Sequence, residues 1–232
     1  MKYIAANWKM NGNVELANEF ISELNKIKTE NQIILCPQAA LLYAFKDFQH
    51  GLGAQNCFYE EHGAFTGENS PKLLKEMGCR YVLVGHSERR TLFGESPEVV
   101  FKKFTAAVQQ KLIPIVCIGE KLEERENWKD VLTEQLAKFS NFANDTQIIF
   151  AYEPLWSIGT GITPTVEEIK NVAEFLKHHL CKKIDYPILY GGSVSPENAT
   201  DILKCQNVDG VLVGGASLHL DKFKKIIEAS EK

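Results

Sequence analysis

The sequence predicts an α/β fold: a single (β/α)8 barrel, eight parallel strands surrounded by helices, spanning residues 1–232. Three observations predict it. Eight short apolar runs recur along the chain with helix-period segments between them, in units of about 29 residues, the size of one strand plus one helix. The runs read as apolar on both faces, as parallel strands covered on both sides must. No linker rich in Pro, Gly or Ser, and no charge run, interrupts the series.

In chain order, strands are expected at Tyr3–Trp8, Gln32–Cys36, Gly51–Ala54, Arg80–Val84, Ile113–Ile118, Gln147–Tyr152, Pro187–Tyr190 and Val208–Val213. Helical stripes lie between them. Ala17, Phe20, Ile21, Leu24 and Ile27 follow the first strand; Val100, Phe104, Ala107 and Val108 follow the fourth; Ile169, Ala173, Leu176 and Leu180 follow the sixth. Ser70-Pro71, Ser96-Pro97 and Ser195-Pro196 each place a capping hydroxyl before a proline, whose missing N–H is harmless in a first helical turn. Thr165 and Glu168 have capping-box spacing. An open doubly wound sheet would share this alternation. The eight-fold count, and no convincing G-x-G-x-x-G after the first strand, favour a closed barrel.

Composition narrows the function classes. Hydrophobic residues make up 44% and charged residues 24%, which suits a folded core and excludes a disordered chain. Basic residues number 26 and acidic residues 30, a net charge of −4, so neither a nucleic-acid partner nor a polybasic membrane contact is expected. An anionic ligand must then be held by local geometry. Cys36, Cys57, Cys79, Cys117, Cys181 and Cys205 are scattered, with no C-x-x-C pair, so we expect free thiols in a reducing compartment and no metal site. The N-terminus runs straight into a strand, without a signal core or any run of about 18 apolar residues. A cytoplasmic location is the expectation.

The chemistry clusters at strand ends. Asn7 and Lys9 follow the first strand, Gln55 and Asn56 the third, and Gly85-His86-Ser87-Glu88 the fourth. Gly119-Glu120 follows the fifth, Glu153 the sixth, Gly191-Gly192-Ser193 the seventh and Gly214-Gly215 the eighth. In a parallel barrel these ends share one mouth. Alone, Lys9 would be an ordinary solvated lysine and His86 an ordinary structural histidine. Glu153, on a half-desolvated rim, would have the raised pKa of a general base. The two glycine clusters suit an oxyanion approaching backbone N–H groups at helix starts. The segment Pro154-Leu155-Trp156-Ser157-Ile158-Gly159-Thr160-Gly161 is oddly apolar for a loop and reads either as a lid or as a static packed turn. His178-His179, beside lysine and without metal spacing, reads as surface.

Six motifs in order, from Asn7-Trp8-Lys9 through Gly85-His86-Ser87-Glu88-Arg89-Arg90, Cys117-Ile118-Gly119-Glu120, the segment beginning Ala151-Tyr152-Glu153, Tyr190-Gly191-Gly192-Ser193-Val194 and Val213–Leu218, resemble the triosephosphate isomerase family over nearly the whole chain. The resemblance implies cofactor-independent interconversion of dihydroxyacetone phosphate and glyceraldehyde 3-phosphate. It implies Glu153 as base, His86 as neutral electrophile, and Lys9 stabilising the enediolate with Asn7 beside it. Backbone N–H groups of Gly159, Ser193, Gly214 and Gly215 would hold the phosphate. Glu88 would pair with Lys9, and Ser87 with Glu153 while the lid is open. Another phosphate-binding barrel, such as an epimerase or synthase, would share the glycine clusters but not the set Asn7, Lys9, His86 and Glu153; a non-catalytic barrel would have lost the base or electrophile.

The resemblance further implies a homodimer formed through the loop around Thr66, within Glu61–Glu68, and a latch in which Tyr190 bonds a backbone N–H at the lid's C-terminal hinge. Pro164 occupies that hinge position and has no N–H to give. Ser157 and Ile162 also depart from the family pattern, and Glu120–Gln135 is shortened.

Overall fold

The computed structural model describes residues 1–139, 147–160, 162–180 and 185–231. Its strands are β1 Tyr3–Asn7, β2 Gln32–Cys36, β3 Gly51–Ala54, β4 Tyr81–Val84, β5 Ile113–Ile118, β6 Ile149–Tyr152, β7 Ile188–Tyr190 and β8 Gly210–Val213. They pair in parallel in chain order, and β8 returns to β1, with Tyr3 opposite Gly210 and Ala6 opposite Val213. The sheet is therefore a closed barrel, as expected, and an open sheet is excluded.

Period-two alternation separates two cores. Ala5, Ile34, Cys36, Leu83, Ile115, Cys117, Ala151, Leu189 and Leu212 pack along the barrel axis. Their neighbours, such as Ile4, Ala6, Val82, Val84, Val116 and Phe150, face outward into the layer beneath the helices. That layer is met by Ala17, Phe20 and Leu24 on α1 (Val14–Leu24), by Val100, Phe104 and Ala107 on α4 (Pro97–Gln109), and by Ile169, Ala173, Leu176 and Leu180 on α6 (Val166–Leu180). The remaining helices are α2 Pro71–Glu76, α3 Ser87–Leu92, α5 Trp128–Leu136, α7 Ala199–Lys204 and α8 Leu220–Ala229. Ile27 lies past the end of α1 yet still packs on this layer.

The caps mostly follow the sequence. Ser70 and Ser96 accept first-turn N–H groups ahead of α2 and α4, and Thr165 and Glu168 bond each other reciprocally at the start of α6. Ser195 differs. Its N–H donates to Asn198 Oδ1 at 2.8 Å, the return bond of a capping box in which a side chain three residues on reaches back, and α7 starts only at Ala199. Cys36, Cys57, Cys79, Cys117 and Cys205 are buried free thiols; Cys181 lies outside the described residues. Among those residues no His/Cys/Asp/Glu group could hold a metal, and no helix is long and apolar enough to cross a membrane.

Candidate active site

Every strand delivers its C-terminal residue to the same mouth, so side chains distant in sequence meet there. A cavity of about 410 Å³ is lined by Asn7, Lys9, His86 and Glu153 on one side. Gly159, Ser193, Gly214 and Gly215 line the other. All eight residues expected at the site are thus brought together.

Lys9 leaves β1 with φ of 52°, a left-handed conformation uncommon for a residue with a side chain. Two amides hold it there. Asn7 Oδ1 accepts the Lys9 N–H at 3.0 Å, and Gln55 Nε2 donates to the Lys9 carbonyl and to the Cys36 carbonyl, both at 2.8 Å. Strain maintained by surrounding bonds is typical of functional positions. The Lys9 ammonium meets Glu88 Oε1 at 2.6 Å, the expected pairing.

His86 caps α3, accepting the Glu88 N–H on Nδ1 at 3.2 Å. Its Nε2 faces Glu153 Oε1 at 3.1 Å, and Glu153 Oε2 accepts the Ser87 N–H at 3.0 Å. Burial disfavours the His86 cation, but the Glu153 carboxylate outweighs it and the pKa of the ring is raised. The Glu88 N–H acts in the opposite direction, because a protonated ring would present a second N–H and lose that bond. With Nδ1 accepting the Glu88 N–H, the ring carries its one proton on Nε2, facing Glu153.

Glu153 corrects one expectation. Burial does push its carboxyl upward, but the His86 ring, the Ser87 N–H and Lys9 together hold it below the usual carboxylate range rather than above it. Desolvation alone would raise the Glu153 pKa, and these donors outweigh it.

Around this pair the strand ends are pinned. Arg90 is half-buried, its Nε donating to the Gly85 carbonyl at 2.8 Å and its Nη2 to the Cys117 carbonyl at 3.0 Å, which joins the ends of β4 and β5. Deeper still, Lys103 Nζ meets Glu95 Oε1 at 2.6 Å and Asn56 Oδ1 at 2.8 Å, and Arg89 also bonds Glu95.

The segment after Glu153 begins on a single turn, Leu155–Ser157. Trp156 Nε1 and Tyr152 OH both donate to buried Glu120 Oε1 at 3.0 Å, and the Arg125 guanidinium lies 4.1 Å from the Trp156 ring centroid. Ser193 Oγ donates to the Ser157 carbonyl at 2.5 Å, and Ser157 Oγ lies 3.4 Å from Tyr190 OH. Gly159 has φ of 71°, which favours glycine at that turn; Gly161 lies outside the described residues.

The Gln55 amide carried little signal in the sequence, where it was visible only as a polar residue after a strand.

Fold and site together define an α/β-barrel protein with a buried His–Glu pair and a glycine-rich rim on one mouth. Comparison with known proteins narrows this. The model of the triosephosphate isomerase family matches residues 2–230. A triosephosphate isomerase of Dehalococcoides mccartyi (strain BAV1) is 46% identical, covering 96% of this chain and 94% of the relative. Those of Aquifex aeolicus and Dictyoglomus thermophilum are 43% and 42% identical and cover nearly all of both chains. The chain belongs to the triosephosphate isomerase family and is an isomerase, with the TIM-barrel fold expected from its sequence.

Proposed function

We propose that this chain interconverts dihydroxyacetone phosphate and D-glyceraldehyde 3-phosphate through an enediolate, without a cofactor. The observation that carries the reading is one cavity holding the buried Glu153 carboxylate 3.1 Å from His86 Nε2, with Lys9 beside them and glycine-rich turns opposite. A proton beside a carbonyl is only weakly acidic, so a base needs electrophilic donors already in place. Glu153 removes that proton and returns it to the neighbouring carbon. His86, with its proton on Nε2, polarises the carbonyl and moves protons between the two oxygens. Lys9 stabilises the negative charge that develops, and Asn7 fixes Lys9 through its backbone N–H. Gly159, Ser193, Gly214 and Gly215 receive the phosphate on backbone N–H groups, and the lid excludes water from the enediolate.

A coupled assay for isomerisation of glyceraldehyde 3-phosphate tests this directly. Turnover no faster than the buffer control would sink it.

The active form is a two-fold homodimer in the cytoplasm, each copy inserting the loop around Thr66 beside the other's Lys9. Residues 60–68 are exposed, and Phe65 packs against Phe58 with the rings tilted at a separation of 4.6 Å while staying 42% exposed. A cleft of about 340 Å³ adjoins the catalytic cavity and shares Asn7, Lys9 and His86 with it. Met10 and Phe93, 86% and 66% exposed, line it and offer the apolar surface an inserted loop would cover. Light scattering that finds a fully active 26.1 kDa species would refute the dimer.

A further inference from the structure

We propose that Gln135, on α5 and outside the catalytic cavity, is a positioning residue for Glu153. The inference rests on reading Glu153 as the base. The Gln135 amide closes on a single residue, Oε1 accepting the Gly119 N–H at 3.0 Å and Nε2 donating to the Gly119 carbonyl at 2.8 Å. This is the bond pair that one strand residue exchanges with its opposite across an antiparallel ladder.

The place of that grip gives it a function. β4 pairs with β5 only as far as Val84 opposite Val116, so beyond Cys117 the β5 side of the chain has lost its strand neighbour. On the other side the chain is still bonded. Glu153 N–H donates to the Ile118 carbonyl at 2.7 Å, and Leu155 N–H donates to the Glu120 carbonyl at 3.0 Å. The peptide groups flanking Gly119 therefore hold the base and the start of the lid, while the N–H and carbonyl of Gly119 turn the opposite way, into Gln135. Gly119 has no side chain to anchor it, and none would fit: a Cβ there would stand 1.7 Å from the Glu153 carbonyl oxygen. Gln135 takes the place of the missing strand, and without it the segment bearing the base is held from one side only.

Misplacing a catalytic group by a fraction of an ångström lowers turnover far more than it lowers affinity. Gln135→Leu keeps a branched side chain, one bond shorter, and removes both bonds; we expect kcat to fall about tenfold with KM within about twofold. Gln135→Glu supplies a rescue. An ionised carboxylate keeps the bond from the Gly119 N–H but repels the carbonyl, whereas a protonated carboxyl restores one donor and one acceptor. Its kcat relative to wild type should therefore rise as pH falls, and the Gln135→Leu ratio should stay flat. A purely structural role would lower the melting temperature without this pH signature. Unchanged kcat in either folded variant, a loss seen in KM alone, or a pH-independent ratio for Gln135→Glu overturns the proposal. Glu153→Gln run in parallel separates the two readings: if it keeps full turnover the base assignment fails, and if it is inactive while Gln135→Leu is fully active only the positioning role fails.

Discussion

The two sides of the mouth are built differently. On the acid–base side, each functional side chain already has a protein partner: Lys9 meets Glu88, His86 meets Glu153 and the Glu88 N–H, and Glu153 also meets the Ser87 N–H. On the anion side the protein stands back. No described atom comes within 4 Å of a Cβ built on Gly159 or Gly215, and at Gly214 only Lys9 Cε does, at 3.6 Å. One side is wired through side chains and the other open through backbone. Charge that develops during a reaction is best met by groups fixed in advance, whereas an incoming anion needs uncovered N–H groups. The two sides should therefore fail in different ways.

Glu153→Gln breaks the first side most severely. The amide cannot accept a proton, so turnover should fall by several orders of magnitude, at or beyond the upper end of the 10²–10⁴-fold typical of general-base loss. Affinity for inorganic phosphate, measured by calorimetry, should largely survive. Parallel loss of phosphate binding would mean that the two sides collapse together and the contrast is false.

His86→Gln tests the wiring itself. Burial raises the Glu153 pKa, and the His86 ring is the first of the groups that pull it down. Without the imidazole, the acid limb of the residual kcat/KM should move to higher pH, on top of a turnover loss of about 10²-fold or more. The same linkage affects stability. A carboxylate whose folded pKa is depressed contributes stability above its unfolded pKa, which is lost as pH falls through the folded one. The variant should accordingly lose stability less steeply with acid than the wild type. A limb that stays in place would show that Ser87 and Lys9 alone set the Glu153 pKa.

How much of this was legible in the sequence follows from the same contrast. The barrel was, because two-sided apolar runs and helix stripes report burial directly, and β2, β3 and β5 have the predicted bounds. The residues that meet at the mouth were too, since all but Gly159 sit at or closely follow a strand end. The Glu153 pKa was not: its direction depends on His86 and Ser87, 67 and 66 positions away in the chain. Nor was Gln135, whose partner is a backbone group that no composition or spacing reveals. At Ser195-Pro196, the serine is held through its own N–H by the Asn198 side chain, and the regular helix starts four residues later, at Ala199.

Gly215→Ala probes the open side. Gly215 has no positive φ and free space around its Cβ, so the protein should fold normally. The methyl group would cover a backbone N–H that we propose receives the phosphate, and losing a hydrogen bond to a charged group costs about 1.5–3 kcal/mol. KM should rise about tenfold or more, with kcat changed much less. A fall in kcat with unchanged KM would place the phosphate elsewhere.

Tyr190→Phe should have the smallest effect, although Tyr190 lies where the two sides meet the lid. Pro164, at the lid's C-terminal hinge, offers no N–H, so the latch implied by the family resemblance has lost its donor. What Tyr190 OH does meet is Ser157 Oγ, 3.4 Å away on the lid's first turn. That separation is well beyond the ~2.7–2.8 Å of a good hydroxyl–hydroxyl bond. Burial also pushes the Tyr190 phenol up to about 12, so it stays a neutral hydroxyl. A neutral hydrogen bond of ordinary length contributes about 0.5–1.5 kcal/mol, and one this long belongs at or below the lower end. Ser157 remains tied to β7 through its carbonyl, which accepts from Ser193 Oγ at 2.5 Å, so the turn does not depend on Tyr190 alone. Proline at the hinge lowers the entropy lost when the hinge orders and offsets part of the missing bond. Tyr190→Phe should therefore lower turnover by less than about threefold and release little extra methylglyoxal from the enediolate. One progress curve that follows isomerisation and methylglyoxal together measures both. A large turnover loss with abundant methylglyoxal would show that the Tyr190 hydroxyl holds the closed lid through a contact other than Ser157.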